Sequence, residues 1–108
     1  MGPEKKIQTA VIEYLKRQLV EHPDVKCVYR KVQGGRYGTN GWPDYEIFAQ
    51  RWGATSVLML EFKAPGKPLT ALQANRFVQL QSAGVTCEVC DNIEVGKRLV
   101  DAALGFYL

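Results

Sequence analysis

No apolar run in these 108 residues approaches the roughly 20 needed to cross a bilayer, and the opening MGPEKKIQTA lacks the apolar stretch of a secretory signal. The expectation is a cytoplasmic protein, or one delivered inside a cell, with no membrane contact. Cysteine is scarce: Cys27, Cys87 and Cys90 form an odd set that suits a reducing compartment better than a disulfide scaffold. In a strand the side chains of Cys87 and Cys90 point to opposite faces, so this C-x-x-C string, with Cys27 and His22 as the only further donors, is not expected to hold zinc. His22 is the one histidine and reads as a solvated residue at a helix end; its isolation argues against histidine-based catalysis. Repeats and low-complexity segments are missing as well.

What is there belongs to an ordinary globular chain, 46% apolar and 23% charged. Its length predicts one domain over residues 1–108, since either half would be too small to bury a core. The net charge of +3 permits nucleic-acid binding without requiring it.

Residues 4–21 predict a helix, because Ile7, Ala10, Val11, Tyr14, Leu15 and Leu19 recur at the spacing of one apolar stripe and Pro3 suits a first turn. Residues 25–32 read as a strand, Gln33 to Pro43 as a glycine-rich loop, and residues 44–50 as a second strand. A turn at Arg51 to Thr55 leads into residues 56–63, SVLMLEFK, the most apolar strand and therefore the one expected at the centre of a sheet. Thr70 can cap a helix that runs to about Ala83 and stops at Gly84; residues 85–90 make a last strand and residues 92–104 a last helix. The predicted class is α/β, a mixed central sheet flanked by helices in the order α-β-β-β-α-β-α.

The chemistry concentrates at one end of that sheet. Glu61 and Lys63 share a face because strand side chains alternate with period two. In a hairpin of residues 44–50 and 56–63, the start of the first strand lies opposite the end of the second, which brings Asp44 level with both. Two converging carboxylates repel each other unless a cation sits between them, and oxygen-only ligation selects a hard ion such as Mg²⁺ or Mn²⁺. With Lys63 to neutralise a phosphate or help deprotonate a water, these are the parts needed for phosphodiester hydrolysis.

The string GWPD at Gly41 to Asp44, LEFK at Leu60 to Lys63 and then Gln73 resembles the signature of the PD-(D/E)xK nucleases, specifically the VRR-NUC branch of virus-type replication and repair nucleases. The resemblance spans almost the whole chain and implies a restriction-endonuclease-like core. It also implies Asp44 and Glu61 as metal ligands, a backbone carbonyl at Phe62 completing the site, Lys63 as the catalytic lysine and Gln73 as a helper near the scissile phosphate. Glu4 matches a glutamate that family members carry in the first helix. It shares a helical face with Ile7 and Val11, which predicts that it points along the buried side. Stand-alone members resemble four-way-junction resolvases, so the implied protein is a homodimeric, structure-selective DNA endonuclease acting inside a cell, in a viral or phage setting.

Each residue also has a plainer reading. Asp44 can cap a turn, Lys63 can pair with Glu61 as a structural ion pair, and Glu4 can favour a helix N-terminus. Thr70-x-x-Gln73 is a capping box in its own right. Arg30, Lys31, Arg36, Lys67 and Arg76 can contact phosphates, with Tyr37 and Trp42 as stacking surfaces, or they can form a solvated face. The rival functions are a non-catalytic DNA-binding module on the same scaffold and a structural α/β subunit of a larger assembly.

Overall fold

The computed structural model describes residues 1–32 and 40–106. The elements run α1 (Pro3–Glu21), β1 (Lys26–Lys31), β2 (Tyr45–Arg51), β3 (Ala54–Phe62), α2 (Ala71–Ser82), β4 (Thr86–Cys90) and α3 (Ile93–Ala103). This is the α/β order that the sequence predicts, with element ends shifted by one or two residues. The four strands form one mixed sheet in the order β1-β2-β3-β4. β1, β2 and β3 pair antiparallel, whereas β4 returns through α2 to lie parallel to β3. The apolar strand β3 is thus interior, flanked by β2 and β4. The glycine-rich loop expected at Gln33 to Pro43 falls mostly outside the described residues.

The β2–β3 turn is tighter than expected. Arg51 pairs with Ala54, leaving Trp52 and Gly53 as a two-residue loop with φ of 53° and 79°. Positive φ at both positions matches the right-handed twist of the flanking strands and holds the hairpin register. That register sets Tyr45 opposite Leu60 and Ile47 opposite Leu58.

Alternation along β2 and β3 then sorts side chains between two layers. On one face Ile47, Ala49, Leu58, Leu60 and Phe62 pack with Ile7, Val11 and Leu15 of α1 and Val100 of α3. Leu60, Phe62, Val11 and Leu15 are wholly inaccessible, each burial contributing about 1.5–3 kcal/mol. At Gly96 of α3 a Cβ would collide with the Val11 side chain and stand 2.8 Å from the Cys90 sulfur, so only glycine permits this approach. The opposite face carries a smaller apolar group, Met59, Phe77, Leu80 and Cys87, beneath α2. Cys87 and Cys90 therefore lie in different layers, and all three cysteines are free.

Two sequence expectations need correction. Glu4 is exposed, not turned to the buried side, because residues 1–6 precede the first buried position of α1, Ile7. His22 is not simply solvated: it is half-buried, with its ring 4.3 Å from that of Phe106. Among the described residues no helix is long and apolar enough to cross a membrane.

Candidate active site

Three features converge where β2 begins and β3 ends. Asp44 directly precedes β2; its carbonyl accepts from the Val32 amide at 2.7 Å, so the backbone here continues the β1–β2 ladder. Its carboxylate turns to β3, where Oδ2 accepts from the Phe62 amide at 2.8 Å. Phe62 thus contributes an N–H to the Asp44 carboxylate, while its side chain lies in the opposite core layer. Lys63, just past β3, extends the parallel ladder by donating its amide to the Cys90 carbonyl at 3.0 Å.

The loop that delivers Asp44 rests on the first turn of α2. Gly41 has φ of 78°, and a Cβ there would lie 2.6 Å from the Leu72 side chain and 3.0 Å from its carbonyl oxygen. Both the backbone conformation and the space call for glycine. Pro43 is fully buried behind it. This contact seats the α2 N-terminus, and hence Gln73, beside the end of β3.

Gln73 serves the helix and the site together. Its Oε1 accepts from the Thr70 amide at 2.9 Å and the Thr70 hydroxyl accepts from the Gln73 amide at 3.2 Å, completing the capping box. With the side-chain oxygen held in the cap, the amide nitrogen must face the other way. It donates to Glu61 Oε2 at 3.1 Å. The capping and site readings of this residue are therefore compatible.

Glu61 is the centre of the arrangement. Its side chain is 4% exposed and that of Lys63 7%, with Lys63 Nζ 3.8 Å from Glu61 Oε2. Glu61 Oε1 is buried with no hydrogen-bond donor. Burial pushes the Glu61 carboxyl up to about 8 and the neighbouring charge of Asp44 adds to this. Lys63 offsets part of the rise, whereas a hydrogen bond with Asp44 and the charge of Glu4 raise it further. Two carboxylates can share a hydrogen bond only while one holds a proton. Once both ionise, Oε1 is an acceptor left in a dry site beside a like charge, which is a costly state.

A hard divalent cation is the group that would relieve this. Mg²⁺ keeps several waters and needs only one or two carboxylates, so Asp44 and Glu61 fit it, and Mn²⁺ shares the preference for oxygen. Among the described residues no three histidine, cysteine or acidic side chains converge closely enough to make a complete cage. Glu4 contributes its field from the first turn of α1, its charge raising the Glu61 carboxyl.

The sequence reading missed Glu46. It is buried on the same sheet face as Asp44, Glu61 and Lys63, where Oε2 accepts from Arg30 Nε at 2.8 Å and Oε1 from Trp42 Nε1 at 3.1 Å. The period-two spacing in Asp44-Tyr45-Glu46 was the available signal. Arg76 lies over the Trp42 ring, its guanidinium carbon 5.5 Å from the centroid, and bonds Gln79 at 2.8 Å. Arg30 and Trp42 are thereby joined through Glu46, with Arg76 stacked beyond them. Lys31 is exposed at the end of β1 and Lys67 is exposed in the loop before α2. Arg36 and Tyr37 lie outside the described residues.

No family model matches this chain, and no curated protein matches it.

Proposed function

We propose that this protein is a metal-dependent deoxyribonuclease with a PD-(D/E)xK core of the VRR-NUC kind. One observation carries the reading: the buried Glu61, with one oxygen lacking any donor, beside Asp44 and between Lys63 and Gln73. A structural ion pair accounts for one carboxylate and one lysine, but not for a second carboxylate aimed at the same spot. The strand order, an antiparallel hairpin followed by a parallel return through α2, supports the same core.

Asp44 and Glu61 would hold Mg²⁺ or Mn²⁺, with the Phe62 carbonyl as the expected backbone ligand. When bound, the cation supplies Lewis-acid charge to the phosphate and lowers the pKa of a water. The chain's own groups do the rest. The Asp44 carboxylate is oriented by the Phe62 amide and the Glu61 carboxylate by the Gln73 amide. Lys63, held in a dry setting on an apolar strand, presents its charge to the phosphate as negative charge grows in the transition state. Arg30, Trp42 and Arg76 form a polar and aromatic rim that suits a nucleic-acid strand. The substrate within this reading is branched DNA such as a four-way junction, cut by a homodimer whose two-fold axis matches the junction. This finer choice follows from the sequence resemblance alone.

The test is cleavage of a labelled four-way junction beside linear duplex, in Mg²⁺, Mn²⁺ or chelator, by wild type and Lys63→Ala, with thermal melts to verify that the variant folds. Expected is metal-dependent cutting of the junction, reduced at least about hundredfold in the variant. Binding without cutting would convert the reading to a non-catalytic DNA-binding module. Absence of both would leave a structural subunit. Cutting confined to flaps by a monomer would remove the junction and the dimer while keeping the nuclease.

A further inference from the structure

A polar cavity lies on the sheet face opposite Glu61, between α1 and the ends of β1 and β2. It has a volume of about 260 Å³, and its walls include Lys5, Gln8, Glu13, Lys16, Lys31 and Tyr45. Lys31 and Tyr45 are direct cross-strand partners and share this face, whereas Asp44, one residue earlier, turns to the other. The Tyr45 side chain is hydrogen-bonded to Gln8 and lies in the field of Lys16. Lys5, Lys16 and Lys31 are all exposed; Glu13, paired with Lys16 at 3.5 Å, is the one acid in the lining, and the Asp44 charge reaches Tyr45 from beyond it. The cavity lining therefore carries an excess of positive charge, with amide and phenol groups among its walls.

Its position is the decisive feature. Lys5 follows Glu4, whose charge reaches Glu61, and Tyr45 follows Asp44, whose charge reaches both Tyr45 and Glu61, so the cavity starts beside the candidate site on two separate segments. We infer that this cavity is a phosphate-binding subsite, taking a backbone phosphodiester of the same nucleic-acid strand whose scissile group lies at Asp44 and Glu61. The inference rests on the nuclease reading and adds to it a ligand position. Ammonium groups on flexible stems read phosphate and carry no sequence preference, and the one aromatic in the wall, Tyr45, is tied to Gln8.

The experiment measures affinity for a labelled DNA duplex in chelator over a series of salt concentrations, together with kcat and KM for cleavage in Mg²⁺. The chains compared are wild type, the double variant Lys16→Ala with Lys31→Ala, and Glu13→Gln. All three positions are exposed, so folding is preserved, and melts verify it. The double variant is expected to weaken binding, to lower the salt slope by about one for each phosphate no longer neutralised, and to raise KM several-fold with kcat unchanged. Glu13→Gln is expected to shift affinity the opposite way, tightening it, which a loss of folding does not mimic. Unchanged affinity and slope in both variants, with wild type binding and cutting, overturn the subsite and leave the nuclease reading standing. Wild type that binds without cutting overturns the nuclease reading, and the affinity arm still decides the subsite. Wild type that binds no DNA overturns both.

Discussion

The two faces of the sheet are built on opposite principles. The face under α1 and α3 is an apolar layer in which Leu60, Phe62, Val11 and Leu15 are wholly buried. The face under α2 has a smaller apolar group and holds Glu46, Glu61 and Lys63, the three charged residues that are buried among the described residues. The difference is instructive because both faces come from the same strands. The strand β3 sends Leu58, Leu60 and Phe62 one way, and Met59 and Glu61 the other. One face stabilises the fold, and the other uses that stability to keep ionisable groups dry. Glu46 shows the resolved form of such burial, with both oxygens accepting from donors, whereas Glu61 shows the unresolved form, with one oxygen lacking a donor.

The sharpest way to test that division is Leu60→Ala. Truncating a fully buried leucine in the α1 and α3 layer is expected to cost about 2–5 kcal/mol in urea unfolding, at every pH where the protein folds. Glu61→Gln, one residue away on the other face, is expected to cost far less near neutral pH, because Glu61 is already largely protonated there without a cation. Equal losses would mean that both faces are structural core.

A smaller effect separates the faces by pH. The Glu61 carboxyl stands at about 8 in the fold against an ordinary 4.5, so between those values the folded protein holds a proton that the unfolded chain releases. That contribution to stability is full below about pH 4.5 and is lost as pH rises through about 8. In chelator, wild type is expected to lose stability across this window relative to Glu61→Gln. Added Mg²⁺ at the upper end should recover it in wild type only, since a ligand bound by the folded state stabilises that state. Parallel pH curves would mean that burial of Glu61 is relieved by something other than a proton or a cation.

The smallest effect concerns the seam between helix cap and site. Thr70→Ala removes one half of the capping box and is expected to cost about 1 kcal/mol. The bond from the residue-70 amide to Gln73 Oε1 survives in that variant, whereas Gln73→Ala loses both it and the bond to Glu61; on the nuclease proposal cleavage should therefore slow in Gln73→Ala while DNA affinity holds. A Gln73→Ala variant that loses stability with its rate intact would confine Gln73 to capping.

Much of this architecture was legible in the chain itself. The stripe Ile7, Val11, Leu15 predicted α1, the run SVLMLEFK predicted an interior strand, and Thr70 with Gly84 marked the limits of α2, where Gly84 adopts φ of 90°. The alternation of strand residues was enough to put Glu61 and Lys63 on one face and to bring Asp44 toward them. The period-two spacing puts Glu46 on the face of Asp44, but its partners, Arg30 and Trp42, come from another strand and from a loop, which that spacing does not announce. The orientation of Glu4 was misjudged because helical periodicity gives the direction of a side chain, not whether anything covers it at the end of the helix. The packing of His22 on Phe106 likewise joins the end of one helix to the chain following another.

The sequence by itself determined the elements, their order and which charges share a face, because these depend on periodicities that operate over a few neighbouring residues. Only the tertiary structure decided that Glu61 is dry, that one of its oxygens lacks a donor, that Gln73 is shared between cap and site, and that a basic cavity begins next to Asp44 and Glu4. Desolvation and Coulomb fields are sums over every atom around a group, and those acting on Glu61 arise from segments far apart in the chain: Glu4 in α1, Asp44 before β2, Lys63 after β3 and Gln73 in α2.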